Sequence, residues 1–150
     1  MTAQAFAFRS RVHFESGLYS DDMVIRWPER LRVPQALILA HELTHVWQWQ
    51  NRDATGYHPL KASLEHIEKD DPYLLEIDPE KPFLDYAYEQ QGVLVEEFVC
   101  CRALDPDGAR TDALARLVGE VFPSAARRET VAQSAIRLPW DGVETAGICS

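Results

Sequence analysis

The chain has 150 residues, of which 46% are hydrophobic, and a formal net charge of −9. This length and apolar content fit one folded domain, expected over residues 1–138 with a C-terminal tail at 139–150, and exclude a disordered chain. The negative charge argues against nucleic acid as a partner, because phosphates repel it, and no apolar run is long enough for a membrane span.

The cysteines and the first residues predict the compartment. MTAQAFAFRSR lacks the basic segment and the apolar run of a signal peptide. Cys100, Cys101 and Cys149 form a poor disulfide framework, because their number is odd and two of them are adjacent. We therefore expect reduced thiols and a cytoplasmic protein, with secretion by a route that needs no signal peptide left open.

The N-terminal third predicts two short strands and a long helix. Residues 6–14 and 23–27 are rich in β-branched and aromatic residues, and turn-forming residues lie between them, which favours an antiparallel pair. Pro34 suits the first turn of a helix, where its missing N–H costs nothing. That helix should run to about Arg52 and end before Gly56.

Helix formers and breakers downstream predict further helices within otherwise irregular segments. The expected ranges are Leu60–Lys69, Leu84–Ala103, Thr111–Val121 and, as an option, 124–137. The residues after Leu138 are typical of a loop. The expected fold is therefore a mainly helical α+β domain with short antiparallel strands beside the first long helix.

The first long helix contains HELTH at residues 41–45, with two histidines four positions apart. Side chains at this spacing project to one side, so both imidazoles can reach one zinc ion, whose nitrogen ligands stand roughly 3.3 Å apart. Glu42 lies about 100° round the helix and is placed to take a proton from water on the metal. We therefore predict His41 and His45 as Zn²⁺ ligands and Glu42 as general base; a hydrogen-bonded core histidine pair is the alternative.

A catalytic zinc site needs a third protein ligand. A third histidine on the motif helix is absent, because Asn51 stands where it would be. Glu89 and Glu96 share one face of the second long helix but lie about 10.5 Å apart along its axis, so one ion cannot take both. Gly92 between them costs up to about 1 kcal/mol relative to alanine, and close approach of another helix would compensate. This favours Glu89, with Glu96 as the runner-up.

The blocks HELTHVWQ and EQQG resemble those of gluzincin-like zinc metallopeptidases, in which a glutamate helix follows the motif helix. They are similar, more narrowly, to bacterial metallopeptidase-like domains found beside contractile injection systems and polymorphic toxins. The resemblance covers about Ile38 to Phe98 and implies that Glu89, the first residue of EQQG, is the third ligand.

One position departs from that resemblance. Many such peptidases carry an aspartate four residues after the ligand glutamate, to orient a ligand histidine, whereas this chain has Val93. Asp85, Glu96 or a backbone carbonyl must then fix the imidazoles. Amide hydrolysis also needs a donor for the developing oxyanion. The candidates are Tyr73, Tyr86, Tyr88, His58 and His66, with Tyr86 favoured because it is expected on the face of Glu89.

These residues predict zinc-dependent hydrolysis of a peptide or protein substrate, with strand 23–27 able to align an extended substrate. The competing prediction is a non-catalytic zinc-binding assembly or interaction module of a bacterial secretion or toxin system, with proteins of that system as partners. The small size favours the module, since 150 residues leave little material for a deep cleft. An open coordination position would favour the enzyme, and four protein ligands the module.

Overall fold

The computed structural model of the chain describes residues 5–23, 30–68, 75–127 and 132–150, apart from the side chains of 66–68. Within these ranges the fold is mainly helical, and two small two-stranded sheets accompany the helices. The predicted α+β class is confirmed. None of the described helices is long and apolar enough to cross a membrane.

The N-terminal hairpin consists of β1 (Ala5–Phe8) and β2 (Arg11–Phe14), which pair antiparallel. The turn between them places Arg9 at a φ of 56°, and its guanidinium lies over the Phe8 ring. Side chains alternate across β1, so Phe6 and Phe8 are exposed while the intervening face packs on the first long helix.

The prediction of one strand over residues 6–14 is wrong, because the antiparallel pairing takes place inside this stretch and not between it and residues 23–27. The polar Arg9–Ser10 pair interrupts the apolar alternation and lets residues 6–14 fold back on themselves. Of the second predicted strand, 23–27, only Met23 belongs to the described residues, and it is buried outside a strand. A second sheet pairs β3 (Leu31–Arg32) in parallel with β4 (Ile136–Arg137).

The described residues of the first half of the chain form three helices. Helix α1 spans Val33–Gln50 with proline in its first turn, as predicted. Helix α2 (Arg52–Thr55) is a single turn that ends at Gly56, whose φ is 65°. Helix α3 (Pro59–Glu68) matches the predicted short helix. α1 therefore carries the whole HELTH motif in its central turns.

The second half contains α4 (Tyr88–Leu104) and α5 (Ala109–Gly119). α4 begins later than the predicted start at Leu84, because Phe83–Asp85 form a separate 3-10 turn and Ala87 is extended. α4 lies against α1 along the site, and its other side packs on α5. The apolar core on that side includes Phe83, Leu94, Leu114, Leu117 and Val118.

A glutamate from α3 fixes the start of α4. Glu65 accepts the backbone N–H groups of Tyr88 and Glu89, each at 3.1 Å. These donors have no partner inside the helix, and a carboxylate is favoured at a helix N-terminus by the helix dipole. The first turn of α4, which carries Glu89, is therefore held by α3 as well as by α1.

The optional helix over 124–137 is wrong for the described part of that segment. Residues Pro123–Ala126 and Gln133–Ala135 form 3-10 turns, and β4 follows. Helix propensity is a weak preference there. Pairing of Ile136 with Leu31 requires extended backbone, and this tertiary contact overrides the helix propensity of the segment.

Two of the three cysteines form a disulfide, Cys101 to Cys149, and Cys100 is free. The expectation of three reduced thiols is therefore wrong. Adjacent helical residues point about 100° apart, so only Cys101 faces the C-terminal segment. Disulfides persist in oxidising compartments, so the cysteines no longer support a cytoplasmic location, which stays a prediction. The proposed division into 1–138 and 139–150 also stays a prediction, although Cys149 in that tail is buried.

Candidate metal centre

Three side chains predicted as metal ligands meet between α1 and α4. Nε2 of His41 lies 3.3 Å from Nε2 of His45, and both nitrogens approach Oε2 of Glu89, at 3.3 and 3.4 Å. The three atoms form a nearly equilateral triangle. All three side chains are buried or nearly so, with His41 the most exposed at 11%. Three ligand atoms at these distances could hold one small cation.

The other ring nitrogen of each histidine has its own partner. Nδ1 of His41 lies 3.2 Å from Oε2 of Glu96, and Nδ1 of His45 lies 2.8 Å from Oε1 of Gln48. A carboxylate and an amide oxygen only accept, so each imidazole donates through Nδ1. Such bonds fix the rings and direct Nε2 toward Glu89, as in most metal-binding histidines. Of the orienting groups considered from sequence, the structure places Glu96 on His41; it adds Gln48 on His45.

A pair of buried glutamines connects the two helices. Gln48 and Gln91 are at most 1% exposed. The amide nitrogen of Gln48 donates to the backbone oxygen of Tyr88 and to Oε1 of Gln91, at 3.0 and 2.9 Å. Gln91 in turn donates to the backbone oxygen of Tyr86 at 2.8 Å. These bonds hold the first turn of α4 against α1 and explain glutamines in both sequence blocks.

Glu42 lies beside the triad of His41, His45 and Glu89 and is 8% exposed. Its Oε2 is buried and makes no hydrogen bond to any residue in the described ranges. The backbone N–H of Ala7 on β1 donates to the carboxylate. Burial raises the pKa of Glu42 and outweighs the opposing effects of His41, His45 and Ala7. A buried carboxylate with a raised pKa and an unpartnered oxygen is suited to accept a proton.

The charges of the triad favour a cation between α1 and α4. Burial opposes a charge on His41, but hydrogen bonds to Glu89 and Glu96 outweigh it and raise the pKa of His41 to about 9. Burial likewise opposes the charge on Glu89, but hydrogen bonds from His41 and His45 prevail and lower its pKa. The carboxylates thus stabilise positive charge at this point, whether a proton or a metal ion carries it.

A cleft of about 350 Å³ reaches the triad from the surface. β1, α1 and the start of α3 line it, and Glu42 and the triad belong to the same lining. Tyr57 also lines it, with its ring centroid 6.0 Å from that of His45. Burial and, secondarily, the nearby carboxylates raise the pKa of Tyr57 to about 12, so its hydroxyl keeps its proton. No sequence signal distinguished Tyr57 from the other tyrosines.

The expected oxyanion donors lie elsewhere or outside the described atoms. Tyr86 precedes α4, and its hydroxyl bonds to the backbone of Asp78. The Tyr88 hydroxyl donates to the backbone oxygen of Gly56 at 2.8 Å. His58 is exposed and accepts a backbone N–H from Leu60. Tyr73 and the side chain of His66 are not described.

No protein-family model, curated protein or solved structure matches this chain. In the described ranges, His41, His45 and Glu89 form the one group of such residues whose ligand atoms all lie within 4.8 Å of one another. The chain thus contains a possible buried metal site of two histidines and one glutamate.

Proposed function

We propose that this protein is a zinc-dependent peptide hydrolase, with His41, His45 and Glu89 as ligands and Glu42 as general base. The observation that carries the proposal is Oε2 of Glu42, which is buried and has no hydrogen-bond partner among the described residues, on a side chain that lines an open cleft beside the triad. A buried polar oxygen without a partner is costly in a purely structural site. Acceptance of a proton from water gives Oε2 of Glu42 a functional role.

The donor set supports zinc as the metal. Two imidazole nitrogens and one carboxylate oxygen form a common set for catalytic zinc. Ligands at about 2.0–2.1 Å from a tetrahedral ion stand roughly 3.3 Å apart, and the ligand atoms of the triad are 3.3 to 3.4 Å apart. Three protein ligands leave one position for substrate or water, whereas structural zinc sites have four. No fourth histidine, cysteine or carboxylate among the described residues joins the cluster.

Each residue around the metal then has a separate role in hydrolysis. When bound, zinc lowers the pKa of water to about 7 and polarises the peptide carbonyl. Oε2 of Glu42 accepts the proton that water loses as its oxygen attacks the carbonyl carbon. Glu42 returns this proton to the amide nitrogen as the C–N bond breaks. The N–H of Ala7 holds the carboxylate in place throughout, and Glu96 and Gln48 hold the two imidazoles.

Replacement of the general base tests the proposal. Glu42→Gln should keep its zinc and its melting temperature, because Glu42 is not a ligand. Cleavage of any library peptide that the parent cleaves should fall about 10²–10⁴-fold, the usual contribution of a general base. Glu80→Gln, a change at an exposed glutamate, is the matched control and should cleave like the parent.

The competing role is a zinc-binding module that assembles with secretion-system or toxin proteins, and it gives different results. A parent protein that cleaves nothing across a broad library, while spectroscopy of the bound metal shows four protein ligands, would replace the hydrolase with the module. Loss of zinc from Glu42→Gln would make Glu42 a ligand and remove its role as base.

A further inference from the structure

We infer that the cleft selects peptide segments with a bulky, uncharged apolar side chain, and that Phe6, Phe8 and Leu60 determine this preference. The inference rests on the proposed function, since it names the substrate class of the same site. The residues that support it line the cleft and are not metal ligands.

Three large apolar side chains are exposed around this cleft. Phe6, Phe8 and Leu60 are 54%, 50% and 69% exposed, and all three line it. They come from β1 and α3, which are far apart in the sequence. Single exposed apolar residues are common on protein surfaces, but a group around a concave site marks a place where another apolar group is buried.

The two phenylalanine rings are held in place by neighbours. The Phe6 ring stacks on His13 across the hairpin, at 4.8 Å between centroids and an interplanar angle of 11°. The guanidinium of Arg9 lies 5.4 Å from the Phe8 ring centroid. Side chains that are already ordered lose little conformational entropy when a ligand covers them. The rings therefore form a prepared apolar surface.

Charge limits what the cleft can accept. Among the described residues that line it, those outside the triad and Glu42 are uncharged. A charged substrate side chain that packs against these uncharged residues would lose water and find no counter-ion among them, which is costly. Small residues at Ala5, Ala7 and Ala62 leave the volume of about 350 Å³ open, enough for a large side chain. A neutral apolar side chain such as phenylalanine or leucine fits both conditions.

The test measures binding without turnover. The probes are fluorescein-labelled octapeptides of glycine, serine and alanine with one central phenylalanine, leucine, aspartate or lysine. Zinc-loaded Glu42→Gln protein should bind the phenylalanine and leucine peptides at least about tenfold more tightly than the aspartate and lysine peptides, a typical range for apolar pockets. Fluorescence anisotropy gives the dissociation constants.

Variants in the Glu42→Gln background locate the preference. Leu60→Ser and Phe6→Ser should each reduce the preference for apolar peptides several-fold while zinc content and melting temperature stay unchanged. Leu64→Ser is the matched control, because Leu64 is 48% exposed on the same helix but does not line the cleft. Equal affinity for all four peptides, or an equal effect of Leu64→Ser and Leu60→Ser, would overturn the inference.

Cleavage by the parent separates this inference from the proposed function. A parent that cleaves all four peptides equally well overturns the apolar preference and leaves the hydrolase intact. Binding that depends on Leu60, together with a parent that cleaves nothing across the broad library and holds its metal with four protein ligands, supports the apolar cleft and removes the hydrolase.

Discussion

Oε1 of Gln48 lies 2.8 Å from Nδ1 of His45, three residues earlier on the same helix. The amide nitrogen of Gln48 simultaneously reaches across to α4. One side chain therefore orients a candidate ligand and fixes the distance between the helices that carry the site. This double role makes Gln48 the most informative position to change outside the triad.

Gln48→Leu should weaken zinc binding about 10–100-fold, the usual effect of removing an orienting group behind a ligand histidine. It should also lower the free energy of unfolding by about 1–3 kcal/mol, because Gln91 loses a buried partner. A zinc-competition titration and a urea denaturation curve measure the two effects. Gln50→Leu, on the exposed side of α1, is the control, and equal zinc affinity in both variants would contradict the orienting role.

Removal of the histidine ligands should remove the metal. Protein purified without chelator is expected to carry about one zinc per chain, and His41→Ala or His45→Ala should abolish it, since two remaining ligands hold zinc poorly. Elemental analysis of the purified chains measures this. His58→Ala, at an exposed histidine, should keep the metal, and stoichiometric zinc in the double His41→Ala, His45→Ala variant would refute the site.

Glu89 and Glu96 should differ in their effect on zinc. Glu89 faces both Nε2 atoms, whereas Glu96 contacts only Nδ1 of His41. Glu89→Gln should therefore weaken zinc binding far more than Glu96→Gln, for which about 10–100-fold is expected. Both changes keep the size of the side chain, so melting curves should show folded protein in each case. The reverse ranking would make Glu96 the ligand.

The sequence predicted the site better than its surroundings, for a physical reason. The spacing of His41 and His45 is a local property of one helix, since residues four apart share a face. The glycine in α4 indicated where the second helix approaches, which favoured Glu89 over Glu96, and the resemblance of EQQG to known metallopeptidases implied the same residue.

The features that the sequence did not reveal depend on contacts between distant residues. α4 begins at Tyr88 because Glu65 from another helix caps it. The role of Gln48 required knowledge that its amide meets the backbone of α4. Cys149 pairs with Cys101 across 48 residues, and Ile136 pairs with Leu31 in a strand that local propensity does not favour. No local pattern encodes such partners.

The disulfide should contribute to stability without affecting the metal. Cys149→Ser should lower the free energy of unfolding by about 2–4 kcal/mol, because a crosslink over 48 residues restricts the unfolded chain. Zinc content should stay near that of the parent, as the disulfide lies beyond the site along α4. Cys100→Ser should leave stability nearly unchanged. Thiol titration of the unreduced, denatured chain should find one free cysteine, and three would show that the disulfide does not form.

Gly92 on α4 should be the most restrictive position for the His41 ring. A Cβ built there would lie 2.8 Å from Cε1 and 3.0 Å from both ring nitrogens. The ring has little freedom to move aside, because Glu89 and Glu96 bind its two nitrogens. Gly92→Ala should therefore displace the imidazole and reduce zinc affinity about tenfold or more, as overpacking commonly costs about 1–3 kcal/mol.

Stability distinguishes this local effect from a general loss of the fold. Alanine favours a helix over glycine by up to about 1 kcal/mol, so the free energy of unfolding measured with chelator should fall less than the zinc-binding free energy does. Gly119→Ala is the control, since no neighbouring atom lies within 4 Å of a Cβ built there. A zinc titration and a urea curve on each variant provide both numbers. Parent-like zinc affinity in Gly92→Ala would mean that α1 and α4 do not approach as closely as the structure places them.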